Sequence, residues 1–284
     1  MKEEYNTIKT PFGEFVLNAD ISPVDDRDFL AELVYDATPL PEELDLRKDL
    51  FPVKSQGSQG SCASFAATCM KEWQEVKDIQ LKDWLSPQFI YNNRCNKESS
   101  GMYGRDVMKI LTDKGIVLEK DYPYYTGEPI TSALLSEAKN FVISGYGVID
   151  TIDGLKRALI NNGPCYIAVP CYNQGPRMWK PTDINEMRIG GHAMSVVGYN
   201  KLGFIIRNSW SSSWNGNGYC IFPYEDWGCQ YETYTTLDAK SVDIFKQKPP
   251  IPSPKPTADK RLFRGPLDWI WYGIKYIFTL GKCK

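Results

Sequence analysis

Histidine is almost absent from this chain: one residue, His192, among 284. All imidazole chemistry therefore rests on one position. The eight cysteines (62, 69, 95, 165, 171, 220, 229 and 283) include no Cys-x-x-Cys pair, which argues against a structural zinc site. Excess charge is lacking too. With 33 basic and 35 acidic residues the net charge is −2, which gives no electrostatic footprint for nucleic acid, and no nucleic-acid partner is expected. Gly-rich phosphate loops and Walker patterns are missing, so neither a metal nor a cofactor is expected. The start, Met1 to Asn6, has no apolar core of a secretory signal. No run approaches the roughly 20 apolar residues that span a bilayer.

Hydrophobic residues make up 42% of the chain and aromatics 13%, enough for a sizeable core. Residues 1–39 are acidic and weakly patterned and end at Thr38-Pro39-Leu40-Pro41, a boundary. From Ser61 the pattern turns helical, with Phe65, Ala66, Cys69, Met70, Trp73 and Val76 recurring at three and four. Cys69 falls on the inner face of that helix and reads as a small core residue. Further helices are expected over 104–114 and 153–161, the latter stopped by Gly163-Pro164. The second half changes character. Pro164–Val169, Ala193–Tyr199, Gly203–Arg207 and Tyr219–Pro223 read as short strands between turns. The fold class expected is α+β, a helical half and a β half.

Cys62 starts the first helix after the tight loop Gln56-Gly57-Ser58-Gln59-Gly60-Ser61. His192 sits in Gly190-Gly191-His192-Ala193-Met194-Ser195-Val196-Val197-Gly198-Tyr199, and Asn208 in Arg207-Asn208-Ser209-Trp210. A lone His on an apolar strand is more often structural than catalytic. The company of a helix-start cysteine and a distant asparagine reverses that reading. A thiol attacks as thiolate, and a helix N-terminus and an adjacent imidazole would both lower its pKa. Asn208 would orient the ring through its other nitrogen, and Trp210 would shield that bond from water. The Cys62 N–H and the Gln56 side-chain amide are the natural oxyanion donors, one such donor being worth on the order of 3 kcal/mol.

These three segments resemble the nucleophile, histidine and asparagine motifs of papain-like cysteine peptidases (peptidase family C1). Trp214-Asn215-Gly216-Asn217-Gly218-Tyr219 continues the third motif, Leu40-Pro41-Glu42-Glu43-Leu44-Asp45-Leu46-Arg47 is similar to the family's mature start, and Tyr122-Pro123-Tyr124 to its mid-domain motif. The order Cys, His, Asn also fits, with 130 residues from Cys62 to His192 and 16 more to Asn208. The resemblance covers about residues 40–238. It implies a papain-like two-lobed α+β fold, a helical left lobe and a β-barrel-like right lobe with the active-site cleft between. It also implies thiol-dependent hydrolysis of peptide bonds, a cysteine endopeptidase acting on protein or peptide substrates. Cys62 would be nucleophile, His192 base and then acid, Asn208 orienter and Gln56 oxyanion donor. Gly101, Met102 and Tyr103 would flank the substrate backbone, with Trp210 and Trp214 on the leaving-group side.

Departures from the pattern matter. Ala63 stands where a Trp usually follows the nucleophile. Gln59 stands where the motif has a cysteine, and its usual disulfide partner aligns near Ser99. Loss of both halves together, with no signal visible, favours free thiols and a reducing, cytoplasmic compartment. Met102 replaces the second glycine of the substrate-strand motif, which puts acyl-side binding in doubt. Residues 1–39 are shorter than the family's inhibitory prodomain but are expected to serve as a short propeptide or cleft-covering arm. The catalytic domain is expected over 40–245. Residues 246–260, with five prolines, read as a stiff linker. Residues 261–284 form an aromatic, basic tail, expected either to lie in a membrane interface as a peripheral contact or to pack on protein. Two other functions stay open: a non-catalytic peptide-binding or scaffolding relative, and acyl transfer or isopeptide cleavage on the same residues. Oligomeric state is not readable.

Overall fold

The computed structural model describes residues 6–239. The expected linker, 246–260, and tail, 261–284, lie outside the described residues, as does the expected end of the catalytic domain at 245. In chain order the elements are β1 (Thr7–Thr10), β2 (Gly13–Val16), β3 (Ala19–Asp20), β4 (Leu44–Asp45), α1 (Cys62–Ile79), α2 (Pro87–Asn92), β5 (Met102–Tyr103), α3 (Gly104–Asp113), α4 (Ser132–Ala138), β6 (Ile143–Val148), α5 (Ile152–Asn162), β7 (Cys165–Cys171), β8 (Gly190–Asn200), β9 (Gly203–Arg207), β10 (Tyr219–Pro223) and β11 (Glu232–Asp238).

The main sheet runs β10-β9-β8-β7-β11-β6, antiparallel at each pairing, with β4 added to β8. Its two-residue period divides two cores. On β7, Cys165, Ile167, Val169 and Cys171 join α5 residues Leu155, Ala158 and Leu159 in one buried cluster. Tyr166 and Ala168 point the other way, into a cluster with Ala63, Ala66, Met70, Val107 and Leu111 from α1 and α3. On β8 the alternation puts His192 on the face of Met194 and Val196, and Ala193 on the face of α1. Ser195 secures that seam, its hydroxyl donating to Ala66 O at 3.2 Å.

The long α1 follows from its composition: no Gly or Pro between residues 62 and 79, and an apolar stripe toward the sheet. It stops at Gln80, which takes the left-handed conformation with φ 55°. Cys69 is buried with Val197 and Ile205, as expected of a core residue. Of the cysteines, 62, 69, 165, 171, 220 and 229 are free thiols. Cys95 is disulfide-bonded, so the expectation of free thiols fails at that position.

Residues 6–38 are more ordered than their weak pattern suggested. β1 and β2 form a hairpin with Thr7 opposite Val16, and Phe15 and Leu17 are fully buried in the sheet core. β3 then pairs in parallel with β5, and Leu30 bridges to Val148. Glu32 accepts from the Thr151 hydroxyl at 2.6 Å at the start of α5. Arg157 donates to the carbonyls of Asp36 and Thr38, at 2.7 and 2.8 Å. The segment is a strap across one side of the molecule.

Candidate active site

Cys62 is the first residue of α1 and is completely buried. Ser61 does not cap the helix with its side chain. Its hydroxyl lies 2.5 Å from the Tyr124 hydroxyl instead. The first-turn N–H groups therefore have no Ser61 side-chain cap, and such a helix start favours negative charge. The thiol lies at the backbone N–H of Ala193, next to His192 on β8.

His192 Nε2 is 2.7 Å from Asn208 Oδ1. Asn208 lies one residue past β9 rather than within a strand, its own N–H donating to Gly218 O at 2.9 Å. The Ser209 N–H also donates to Asn208 Oδ1, at 2.7 Å, so the amide oxygen is the atom turned to the ring. An amide oxygen only accepts, so Nε2 carries the hydrogen and Nδ1 is the basic nitrogen. Nδ1 is buried with no hydrogen-bond partner.

Trp210 covers this pair, its ring centroid 4.6 Å from that of His192. Trp214 meets Trp210 edge-on at 5.8 Å, and its Nε1–H donates to Gln174 O at 3.0 Å. From the strap, Phe15 stacks on the Trp210 ring at 5.1 Å and 15°.

Gln56 is fully buried. Its Oε1 accepts from the Ser209 hydroxyl at 2.7 Å, so its Nε2 is the end left to donate, to Gln59 O at 3.0 Å and Val16 O at 3.3 Å. Val16 thus places a peptide carbonyl on the amide singled out as an oxyanion donor. The Gln56 backbone carbonyl accepts from Tyr124 and Tyr125 hydroxyls at 2.7 and 3.0 Å.

Beyond Val16 the strap continues along the site. Asn18 O accepts from the Met102 N–H at 3.1 Å, and Ala19 and Asp20 pair with Met102 and Tyr103. On the opposite wall Asn18 bridges to Gly191. A side chain on Gly191 would collide with Ala19 O, so the glycine before His192 is what lets the strap pass. Met102 itself is fully buried in the core with Ala63, Val107 and Met108. Its side chain points inward, and its N–H edge keeps the pairing capacity that a glycine would offer.

Burial pushes the Cys62 thiol up to about 11, against the backbone N–H of Ala193, which favours the thiolate. Burial pulls His192 down to about 4, partly offset by its bond to Asn208. The sequence led to the opposite expectation for Cys62. The sign reverses because both groups are fully buried, and burial disfavours the charged form of each.

The structure therefore gathers Cys62, His192, Asn208 and Gln56 at one place, with Gly101, Met102 and Tyr103 at one end and Trp210 and Trp214 at the other. Sequence reasoning gave no role to Ser209, Tyr124, Tyr125 or Phe15. The first three sat inside or beside the quoted motifs. Phe15 had no signal at all, because its partner is 195 positions away in sequence.

A buried thiol at a helix start thus lies beside the strand that carries an amide-bonded imidazole, on a seam between helices and an antiparallel sheet. Residues 40–238 match the family described as "Papain family cysteine protease", and the chain belongs to that family. It is 28% identical to cysteine proteinase 3 of Entamoeba histolytica over 195 residues, covering 64% of this chain and 62% of that one. It is 30% identical to mouse cathepsin K over 201 residues, covering 64% and 59% respectively. The match spans 51% to 62% of the length of these and other curated relatives, including two Arabidopsis thaliana proteases. Among solved structures, xylellain, a cysteine protease from Xylella fastidiosa, superposes with a TM-score of 0.67 at 25% identity, covering 78% of this chain and 96% of that one. The fold is the expected α+β papain fold.

Proposed function

We propose that the protein is a thiol-dependent peptidase, a cysteine endopeptidase, held closed by residues 6–38. The observation that carries the reading is the Nε2–Asn208 bond of 2.7 Å, which leaves Nδ1 of the only histidine as an unpartnered base beside the thiol's helix. In this mechanism Nδ1 takes the Cys62 proton as sulfur bonds to the substrate carbonyl carbon. The carbonyl π pair moves onto oxygen, where the Cys62 N–H and Gln56 Nε2 stabilise it. The C–N bond then breaks, and the amine leaves with the proton from Nδ1. Water attacks the thioester, giving its proton to Nδ1. The C–S bond breaks, and the proton returns to sulfur as the acid departs.

The strap fits the part of an inhibitor rather than a substrate. It enters beside Trp210 and leaves along β5. A substrate with its acyl half on Gly101–Tyr103 and its leaving half near Trp214 runs the other way. The strap therefore runs through the cleft in the direction opposite to that of such a substrate.

Turnover of a quenched peptide library by full-length protein, before and after loosening the strap by Phe15→Ala, tests this reading. Cleavage that depends on Cys62 supports it. Absence of both cleavage and thiol labelling in the loosened protein rejects it in favour of a binding role.

A further inference from the structure

Gln88, the second residue of α2, has no part in the chemistry above, yet its buried side chain is bonded at both ends. Its Oε1 accepts from Gln59 Nε2 at 3.0 Å, and its Nε2 donates back to Gln59 Oε1 at 3.3 Å, so the two amides form a reciprocal pair. Oε1 also accepts from the Tyr125 N–H at 2.9 Å, and Nε2 donates to Asn92 Oδ1 at 2.8 Å, one turn along α2. The peptide N–H can only donate, which fixes the Gln88 amide with its oxygen toward Tyr125. Two bonds accepted and two donated use the whole capacity of that amide.

Both arms of this hub lead to Gln56. Gln59 stands where the nucleophile motif has a cysteine, and its backbone carbonyl accepts from Gln56 Nε2 at 3.0 Å. The Tyr125 hydroxyl donates to the Gln56 backbone carbonyl at 3.0 Å. Gln88 thus reaches the Gln56 side chain through Gln59 and the Gln56 backbone through Tyr125. The second arm is held under strain. Tyr125 has φ 65°, a left-handed conformation that a tyrosine keeps only where its surroundings impose it. Its hydroxyl passes over Gly57, where a side chain would collide with it.

The first arm gains its importance when the strap leaves. In the closed form Gln56 Nε2 donates to both Val16 O and Gln59 O. Val16 belongs to the strap and departs with it, whereas Gln59 belongs to the catalytic body. One N–H is then released for a substrate oxyanion, and the other stays on Gln59 O. Resting on the peptidase reading, we infer that Gln88 is a positioning residue for the oxyanion donor: through the Gln59 amide and the Tyr125 hydroxyl it fixes Gln56 Nε2 before the substrate arrives. Such a donor is effective only when fixed in advance, and a displacement of about 1 Å from a change remote from the chemistry can cost on the order of 100-fold in rate.

The test uses the full-length chain carrying Phe15→Ala as parent, with Gln59→Ala and Gln88→Ala added separately. The readouts are kcat and KM on a fluorogenic peptide, and the rate of Cys62 alkylation by iodoacetamide, read by peptide mapping. Alkylation builds no oxyanion, so it reports the thiol and the fold alone. The expected result is a kcat lowered about tenfold or more, with KM and the alkylation rate each within about twofold of the parent. In a Gln56→Ala background either change should lower kcat no further, because the group being positioned is gone. Gln59→Ala decides if Gln88→Ala fails to fold, since Gln59 is only half-buried and lies outside α2. A Gln59→Ala variant with unchanged kcat, with the same loss in the Gln56→Ala background, or with alkylation slowed in step with kcat overturns the inference and leaves the peptidase reading standing. No cleavage by the Phe15→Ala parent overturns both.

Discussion

Phe15 lies stacked on Trp210, ring centroids 5.1 Å apart and planes 15° apart, so a residue of the strap forms the outer lid of the His192–Asn208 pair. Both rings are fully buried. Truncating a buried Phe to Ala costs about 3–5 kcal/mol. Most of that cost falls on the strap's docking, because Phe15 belongs to it. Phe15→Ala should raise the initial rate on a short peptide by at least about tenfold, read by progress curves without pre-incubation. Equal initial rates would reject occlusion by the strap.

His192→Ala in the Phe15→Ala background should remove turnover, a loss of about 10²- to 10⁴-fold for a positioned base. The chain has no second histidine to substitute. Added imidazole should restore part of the rate, since the cavity left is the shape of the missing ring. A variant that keeps more than a tenth of the parental kcat/KM would contradict the assignment of Nδ1 as base.

The catalytic half of this arrangement was legible in the sequence because its parts are compact in sequence. Cys62, Asn208 and their loops sit in short runs where residue type, helix start and strand alternation agree. The helices at 62–79, 104–113 and 152–162 and the strand Gly203–Arg207 were readable from periodicity and stop signals for the same reason. The strap was not. Its strands are two to four residues long, and their partners are Met102, Gly191 and Val148, remote positions that no local pattern announces. α2 and α4, of six and seven residues, are too short to show a helical period. β6 and β11 were missed as well: Ile143–Val148 carries two glycines, and Glu232–Asp238 is rich in threonine, so neither stands out as an apolar run. The doubt raised by Met102 was a question of side-chain direction, which only the packing of β5 against α3 answers.

Asn208→Ala should shift the pH profile as well as the rate. The bond from Nε2 to Asn208 raises the His192 pKa against the lowering by burial. Without it the imidazolium becomes less stable, so the acidic limb of kcat/KM should move to lower pH. The rate at neutral pH should fall roughly 5- to 100-fold, the worth of a buried hydrogen bond of about 1–3 kcal/mol. A lower rate with an unmoved acidic limb would argue that Asn208 is merely structural.

Opening of the strap should respond little to pH in the parent protein, because two groups oppose each other. Burial holds His192 at about 4 against an ordinary 6.5, so the closed form binds fewer protons between those values and acid favours opening. Burial holds Glu232, whose Oε2 accepts from the Ser22 N–H of the strap at 3.1 Å, at about 7 against an ordinary 4.5, so the closed form binds more protons there and acid favours closing. Between about 4.5 and 6.5 the two cancel. Glu232→Gln removes the second, and opening should then become easier as pH falls from 6.5 toward 4, by on the order of 10- to 100-fold. Epoxide labelling rates of parent and variant across this range measure it. A parent that opens steeply in acid would contradict the opposition.

The central claim is that Cys62 is an assembled nucleophile kept from solvent by the strap. Intact-mass and peptide mapping after treatment with a papain-directed epoxide, on the reduced full-length chain and on its Phe15→Ala variant, addresses it most directly. The expected result is slow labelling of the parent, fast labelling of the variant to one adduct on Cys62, and none when His192→Ala is added. Labelling that is equally fast in parent and variant, spread over other cysteines, or indifferent to His192 would contradict it.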